Sequence, residues 1–212
     1  MKMEATELVR RRLLRFGLFM LAFYALLLGL LTLFKDNEPA ATAVLAAACV
    51  AGVFAVRPGW NLIPQRVDAS TLLIFAATGA SAVVAASGLV LLGIPTPYDK
   101  LPLSLPALMP LILGITGIEE LLFRQLAYRW LEQGQVPGRT ITFATGVAWA
   151  CGHLGGALSP VYAMFVLLQS LFLIWVGVLL GELRRRSGSW PLAWAGHMAY
   201  NAGFLYVFAL IR

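Results

Sequence analysis

The sequence has 212 residues, of which 60% are hydrophobic and only 12% are Asp, Glu, Lys or Arg. A soluble globular domain has about 25% charged residues, so this composition excludes an ordinary soluble protein. The net charge of +6 comes from basic residues placed between apolar runs, a distribution typical of membrane topology rather than of nucleic-acid binding. We therefore expect an integral membrane protein that lies in a lipid bilayer and has no nucleic-acid partner.

Uncharged runs of about 18 or more residues indicate membrane spans, and this chain has several. In chain order the spans cover residues 16–34, 40–56, 69–98, 101–130, two runs between 139 and 182, and 191–211, of which the fourth continues past two acidic residues, Glu119 and Glu120. The first is longer than the ~7–15 residues of a signal-peptide core, so we expect it to be retained. The pattern predicts an all-α fold, a polytopic bundle of about seven transmembrane helices in a single membrane domain of residues 1–212.

Between Arg139 and Glu182, 42 consecutive residues contain no Asp, Glu, Lys or Arg. At about 20 residues per crossing, this length corresponds to two helices. Glycine, serine and proline around residues 155–160 mark the break between them.

Basic residues predict the orientation, because short loops rich in Lys and Arg stay in the cytoplasm. Twelve fall on one side of a seven-span topology: Lys2, Arg10, Arg11, Arg12, Arg15, Arg57, Arg66, Arg129, Arg139, Arg184, Arg185 and Arg186. Only Lys35, Lys100 and Arg212 fall on the other. The N-terminus is predicted to be cytoplasmic and the C-terminus outside, in a bacterial plasma membrane.

A few polar side chains lie inside the predicted spans. They are Glu119, Glu120 and Arg124 in the fourth span, His153 in the fifth, and His197 and Asn201 in the seventh. A charge at mid-bilayer costs at least ~2.5–3.5 kcal/mol, so such residues are functional candidates. The nearest arginine predicted to be cytoplasmic is nine to fifteen residues away from Glu120, His153, His197 and Asn201. That separation corresponds to a depth of roughly 14–22 Å along a helix. One buried polar site near the bilayer centre is therefore predicted.

The two glutamates are expected to differ. Glu120 and Arg124 are four residues apart, so they share a helix face and favour an ion pair. Glu119 lies about 100° around the helix from Glu120. We therefore expect Glu119 to be the freer carboxylate and a candidate general base.

The two histidines complete the predicted site. His197 and Asn201 are also four residues apart on one helix face, so an imidazole and a carboxamide can converge on one oxygen, as an oxyanion site requires. His153 comes from a third helix and can join them.

The motifs EELLFR at residues 119–124 and HMAYN at residues 197–201, with His153 between them, resemble the CPBP family. This family includes the CAAX prenyl endopeptidases, bacterial Abi-type intramembrane proteases and immunity proteins, and its motifs are EExxxR, FxxxH and HxxxN. The first and third match fully. In the second, Trp149 stands where the family has Phe. The resemblance covers roughly residues 111–201.

The resemblance implies hydrolysis of a peptide bond within the membrane, in a membrane-associated protein or peptide; prenylated and C-terminally anchored substrates are both admissible. It places the catalytic motifs on helices at about residues 103–132, 140–157 and 191–211. The implied roles are Glu119 as base, His153 as its partner, His197 and Asn201 as oxyanion donors, and Glu120 with Arg124 as structural support. No cofactor is implied.

Three other functions use the same polar residues. A glutamate and two histidines could form a catalytic zinc site, although no HExxH motif is present. A non-catalytic bacteriocin-immunity or partner-binding protein could use the cluster only to hold its helices together. A proton-coupled transporter could use it as a relay, but the chain lacks the internal repeat typical of that class.

Overall fold

The computed structural model describes residues 2–33, 43, 47, 61–97, 105–154 and 160–211. All regular elements in these ranges are helices, and no strand occurs in them. The helices are α1 Lys2–Leu33, α2 Ala69–Leu91, α3 Leu105–Glu120, α4 Tyr128–Gln133, α5 Gly138–Gly152, α6 Ala163–Ser187 and α7 Trp190–Ile211. The predicted all-α class is confirmed.

Two segments of the described chain, Ala69–Leu91 and Pro160–Ser187, are long and apolar enough to cross a membrane. The runs at residues 16–34, 101–130 and 191–211 also fall largely on helices. The predicted second span, residues 40–56, lies outside the described residues apart from residues 43 and 47. The number of seven crossings stays a prediction.

Two local features mark the start of α2 and the end of α6. Asp68 caps α2 by accepting hydrogen bonds from the Thr71 N–H at 2.9 Å and the Ser70 hydroxyl at 2.6 Å, and these donors hold the pKa of its carboxyl well below the usual range. Gly188 ends α6 in a left-handed conformation with φ of 72°, which glycine adopts without strain. The chain therefore reverses sharply between α6 and α7.

Glycines bring α5 and α6 close together. A Cβ atom on Gly177 would lie 2.8 Å from the Cα of Gly146, and one on Gly181 would lie 2.8 Å from a methyl carbon of Thr142. Small residues of this kind let the backbones of membrane helices approach each other. The close contact places the C-terminal half of α5, which carries Trp149, against the middle of α6.

The helix bearing the two glutamates is not regular along its length. Leu121–Ala127 forms a π-helical segment that joins α3 to α4, and π turns inside α-helices are common at functional sites. The backbone carbonyl of Arg124 accepts a hydrogen bond from Nε of Arg184 at 3.0 Å. Arg184, counted from the sequence as a topology marker, is thus also a buried structural residue, 3% exposed.

The middle motif helix, expected at about 140–157, is described as Gly138–Gly152 with His153 at its C-cap. Residues 155–157 of the expected range lie outside the described residues. Gly152 packs against the ring of Tyr24, leaving no room for a Cβ atom. A glycine at this position also weakens a helix, which favours an early end.

Candidate active site

Three motif helices and α6 enclose a cavity of about 260 Å³. Its polar lining comprises Thr116, Glu119, Trp149, His153, Gln169, His197, Tyr200 and Asn201. The remaining lining is aliphatic or aromatic, including Ile112, Leu173 and Phe204. The residues predicted from three separate segments therefore line one pocket, except Glu120 and Arg124, which lie behind its wall.

Glu120 and Arg124 form the expected ion pair. Arg124 Nε lies 3.4 Å from Glu120 Oε2, and both side chains are fully buried. Arg124 also donates from Nη2 to the backbone oxygen of Gly177 at 3.0 Å. The pair thereby ties α3 and the π segment to α6.

His197 connects the two carboxylates. Its Nδ1 lies 3.0 Å from Glu120 Oε1, and its Nε2 lies 3.7 Å from Glu119 Oε2. A carboxylate paired with arginine can only accept hydrogen bonds, so Nδ1–H is the donor to Glu120. This contact was not predicted, because the sequence paired His197 with Asn201 and left its relation to Glu120 open.

Glu119 is the carboxylate that reaches the cavity. Its side chain is 25% exposed, whereas that of Glu120 has no exposure. The indole N–H of Trp149 donates to Oε2 of Glu119 at 2.7 Å. One oxygen is therefore held in place, and the other is available to a ligand in the cavity.

Trp149 is the functional residue that sequence reasoning underestimated. Besides its hydrogen bond to Glu119, its ring packs edge-on against His153 and His197, at centroid distances of 5.1 and 5.0 Å. The guanidinium of Arg124 lies 5.6 Å from the same ring. The departure from the family's Phe was the available signal, because only tryptophan adds an N–H donor at this position.

His153 and Asn201 complete the lining. His153 Nδ1 lies 3.1 Å from the backbone oxygen of Trp149. A carbonyl only accepts, so Nδ1 carries the proton and Nε2 remains available in the neutral ring. Asn201 is half-buried on α7, one turn beyond His197, and lines the same cavity.

The charges of the site nearly cancel. Glu119, Glu120 and Arg124 together leave a single formal negative charge in the site. Among the described residues, no group of three or more His, Cys, Asp or Glu side chains has a metal-binding arrangement.

Comparison with known proteins identifies one family. The family model described as Rce1-like, type II CAAX prenyl endopeptidase, matches residues 101–203, a range that contains all the polar residues of the cavity. The resemblance seen in the motifs is thereby confirmed. No curated protein and no solved structure matches the chain.

Proposed function

We propose that this chain, whose residues 101–203 match the family model described as Rce1-like, type II CAAX prenyl endopeptidase, hydrolyses a peptide bond within the membrane by glutamate-activated water. The observation that carries the mechanism is the unequal setting of the two glutamates. Glu119 faces the cavity, whereas Glu120 is fully buried against Arg124. Only Glu119 can reach a water molecule beside a substrate.

In the first step, the free oxygen of Glu119 takes a proton from water while the water oxygen attacks the carbonyl carbon of the substrate. The hydrogen bond from Trp149 fixes the orientation of the carboxylate. The unprotonated Nε2 of His153 accepts a hydrogen bond from the same water and aligns it. The new C–O bond converts the carbonyl into a tetrahedral oxyanion.

His197 and Asn201 are suited to stabilise that oxyanion. Because Nδ1 of His197 is engaged by Glu120, Nε2 is the nitrogen that can donate to the oxyanion when it carries a proton. The Asn201 amide supplies a second donor from the next turn of α7. Fixed donors of this kind contribute strongly to acyl transfer, about 2.7–4 kcal/mol for a single one.

The second step completes the proton balance. The protonated Glu119 gives its proton to the amide nitrogen, the C–N bond breaks, and the oxyanion collapses to a carboxylic acid. The products are a new C-terminal carboxylate and a new amine. Glu119 returns to its starting state, and no cofactor is consumed.

The setting favours a membrane-associated protein or peptide as substrate. A second cavity of about 210 Å³ lies between α2, α6 and α7. It shares Gln169, Tyr200 and Phe204 with the active-site cavity and is otherwise apolar. A prenyl group or an apolar C-terminal anchor fits this chemistry.

We further propose seven spans, a cytoplasmic N-terminus, an external C-terminus and a bacterial plasma membrane location.

The test compares membranes that contain the full chain with membranes that contain Glu119→Gln. Mass spectrometry should find new C-termini only with the unchanged chain, and a synthetic peptide spanning that junction should be cut by the purified protein. Glu7→Gln is the matched control, because it makes the same change at an exposed position of α1. Identical C-termini with and without Glu119 would refute the proposal.

A further inference from the structure

A third cavity, lined mainly by polar residues, lies away from the active site, where α4 ends, α5 begins and α6 ends. Its volume is about 510 Å³. The charged lining consists of Arg129, Glu132, Arg139, Arg184 and Arg185. None of these residues takes part in the proposed hydrolysis, so the concentration of arginines needs another explanation.

Two of the four arginines are neutralised by carboxylates. Arg129 Nη1 lies 2.5 Å from Glu132 Oε2, and Arg185 Nη2 lies 2.7 Å from an oxygen of Glu182. In the described part of the chain, no Asp or Glu forms an ion pair with Arg139 or Arg184. Arg139, which is exposed, and Arg184, which is buried, are thus the two cavity arginines without an ion-pair partner in this part of the chain.

Arg184 is the more unusual of the two, because it is 3% exposed. Its Nε donates to the backbone oxygen of Arg124 at 3.0 Å, and its guanidinium lies 5.2 Å from the ring centre of Tyr128. Its Nη2 is buried and has no hydrogen-bond partner among the described residues. An unpaired buried donor is costly, and an acceptor in the cavity would satisfy it.

The start of α5 adds backbone donors to the same cavity. Pro137, Gly138 and Arg139 line it, and Pro137 provides no side-chain cap for this 15-residue helix. The first N–H groups of a helix lack internal partners and carry a partial positive charge, which favours anions. Two arginines and a helix N-terminus therefore converge on one space.

We propose that this cavity binds a phosphate group, through Arg139, Arg184 and the N-terminus of α5. The planar guanidinium forks match phosphate oxygens. Basic pockets between the ends of membrane helices suit phospholipid headgroups, and a soluble phosphate compound presents the same oxygens.

The experiment measures binding to the purified full chain in a neutral detergent. The probes are dihexanoyl phosphatidylglycerol, dihexanoyl phosphatidylcholine and potassium phosphate, with potassium chloride at equal ionic strength as reference. Saturable binding of phosphatidylglycerol above phosphatidylcholine and phosphate assigns the site to a lipid headgroup. Equal binding of inorganic phosphate assigns it to a soluble phosphate. Absence of saturable binding by all three probes overturns the proposal.

Variants locate the binding. Arg139→Gln should weaken binding about tenfold, the effect of losing one charge-assisted hydrogen bond, and Arg184→Lys should weaken it similarly because lysine lacks the guanidinium fork. Arg15→Gln removes one charge from an exposed position of α1 outside the cavity and should leave affinity unchanged. If Arg184→Lys does not fold, Arg139→Gln decides alone. Equal effects of Arg139→Gln and Arg15→Gln overturn the assignment.

Discussion

The indole nitrogen of Trp149 lies 2.7 Å from Oε2 of Glu119, so the proposed base is oriented by a residue from another helix. The same tryptophan packs against both histidines of the site. A phenylalanine, which the family motif has here, would supply the ring but not the donor. In this chain the second motif therefore contributes to positioning as well as packing.

Trp149→Phe tests that role. It retains an aromatic ring beside His153 and His197 and removes the hydrogen bond to Glu119. We expect kcat to fall about ten- to a hundredfold, the effect of losing a hydrogen bond to a charged group, while KM and the melting temperature change little. Steady-state kinetics on the peptide identified from membranes, with melting in detergent, measure both.

Trp175→Phe is the matched control. Its indole N–H donates to Ser81 Oγ at 3.2 Å, between α6 and α2, and the residue is 54% exposed outside the cavity. The kcat of the Trp175→Phe variant should stay near that of the unchanged chain. If both variants retain full kcat, Trp149 is only a packing residue.

The sequence predicts the composition of the site better than its contacts. Spacing of four residues on one helix placed Glu120 beside Arg124, because helical periodicity alone determines that distance. The hydrogen bond from His197 to Glu120 depends on how α7 is rotated against α3, which no local pattern encodes. The sequence therefore paired His197 with its neighbour Asn201 instead.

The π segment and the end of α5 at Gly152 have no local sequence pattern that predicts them. Each coincides with a tertiary contact: Arg184 donates to the carbonyl of Arg124 in the π segment, and Gly152 packs against Tyr24. The sequence indicates only a topology marker at Arg184, because basic residues concentrate in cytoplasmic loops. Its burial becomes visible only when α6 is placed beside the π segment.

The two carboxylates should respond differently to substitution. Arg124→Leu leaves Glu120 as a buried, unpaired charge, and breaking such a pair typically costs about 3–5 kcal/mol. We expect less folded protein and a lower melting temperature in detergent. Glu119→Gln keeps an oxygen for the Trp149 donor, so it should melt near the unchanged chain while cleavage is lost. If the two variants match in both melting and activity, the division of roles is wrong.

Reporter fusions test the topology. Fusions at the N-terminus and within Arg184–Arg186 should report a cytoplasmic position, and a fusion after Arg212 should report the outside, because twelve basic residues fall on one predicted side and three on the other. A cytoplasmic C-terminus would contradict an odd number of spans.

The cap of α2 should make part of the stability dependent on pH. The pKa of Asp68 is lowered in the folded state by hydrogen bonds from Ser70 and Thr71, whereas an unfolded aspartate titrates near ~3.9. Below that pH the unfolded chain binds more protons, so the stabilisation by Asp68 is present at neutral pH and is lost on acidification. The melting-temperature gap between the unchanged chain and Asp68→Ala should therefore narrow from pH 7 to pH 3.

Asp68→Asn is the control for this measurement. Asparagine still offers a cap oxygen but does not titrate. Its melting-temperature gap to Asp68→Ala should be the same at both pH values. A gap between aspartate and alanine that does not change with pH would show that the charge of Asp68 has no role.

Chelation separates water activation by glutamate from zinc catalysis, which use the same residues. In the zinc mechanism Glu119, His153 and His197 are ligands, so removal of the ion abolishes activity and its return restores it. In the glutamate mechanism Glu119 itself removes the proton, with Trp149 holding one of its oxygens. We expect activity to survive exhaustive chelation, because no helix of this sequence has the HExxH pair of ligands one turn apart. Elemental analysis showing about one zinc per chain, with activity lost on its removal and regained on its return, would replace the mechanism and leave the peptidase assignment intact.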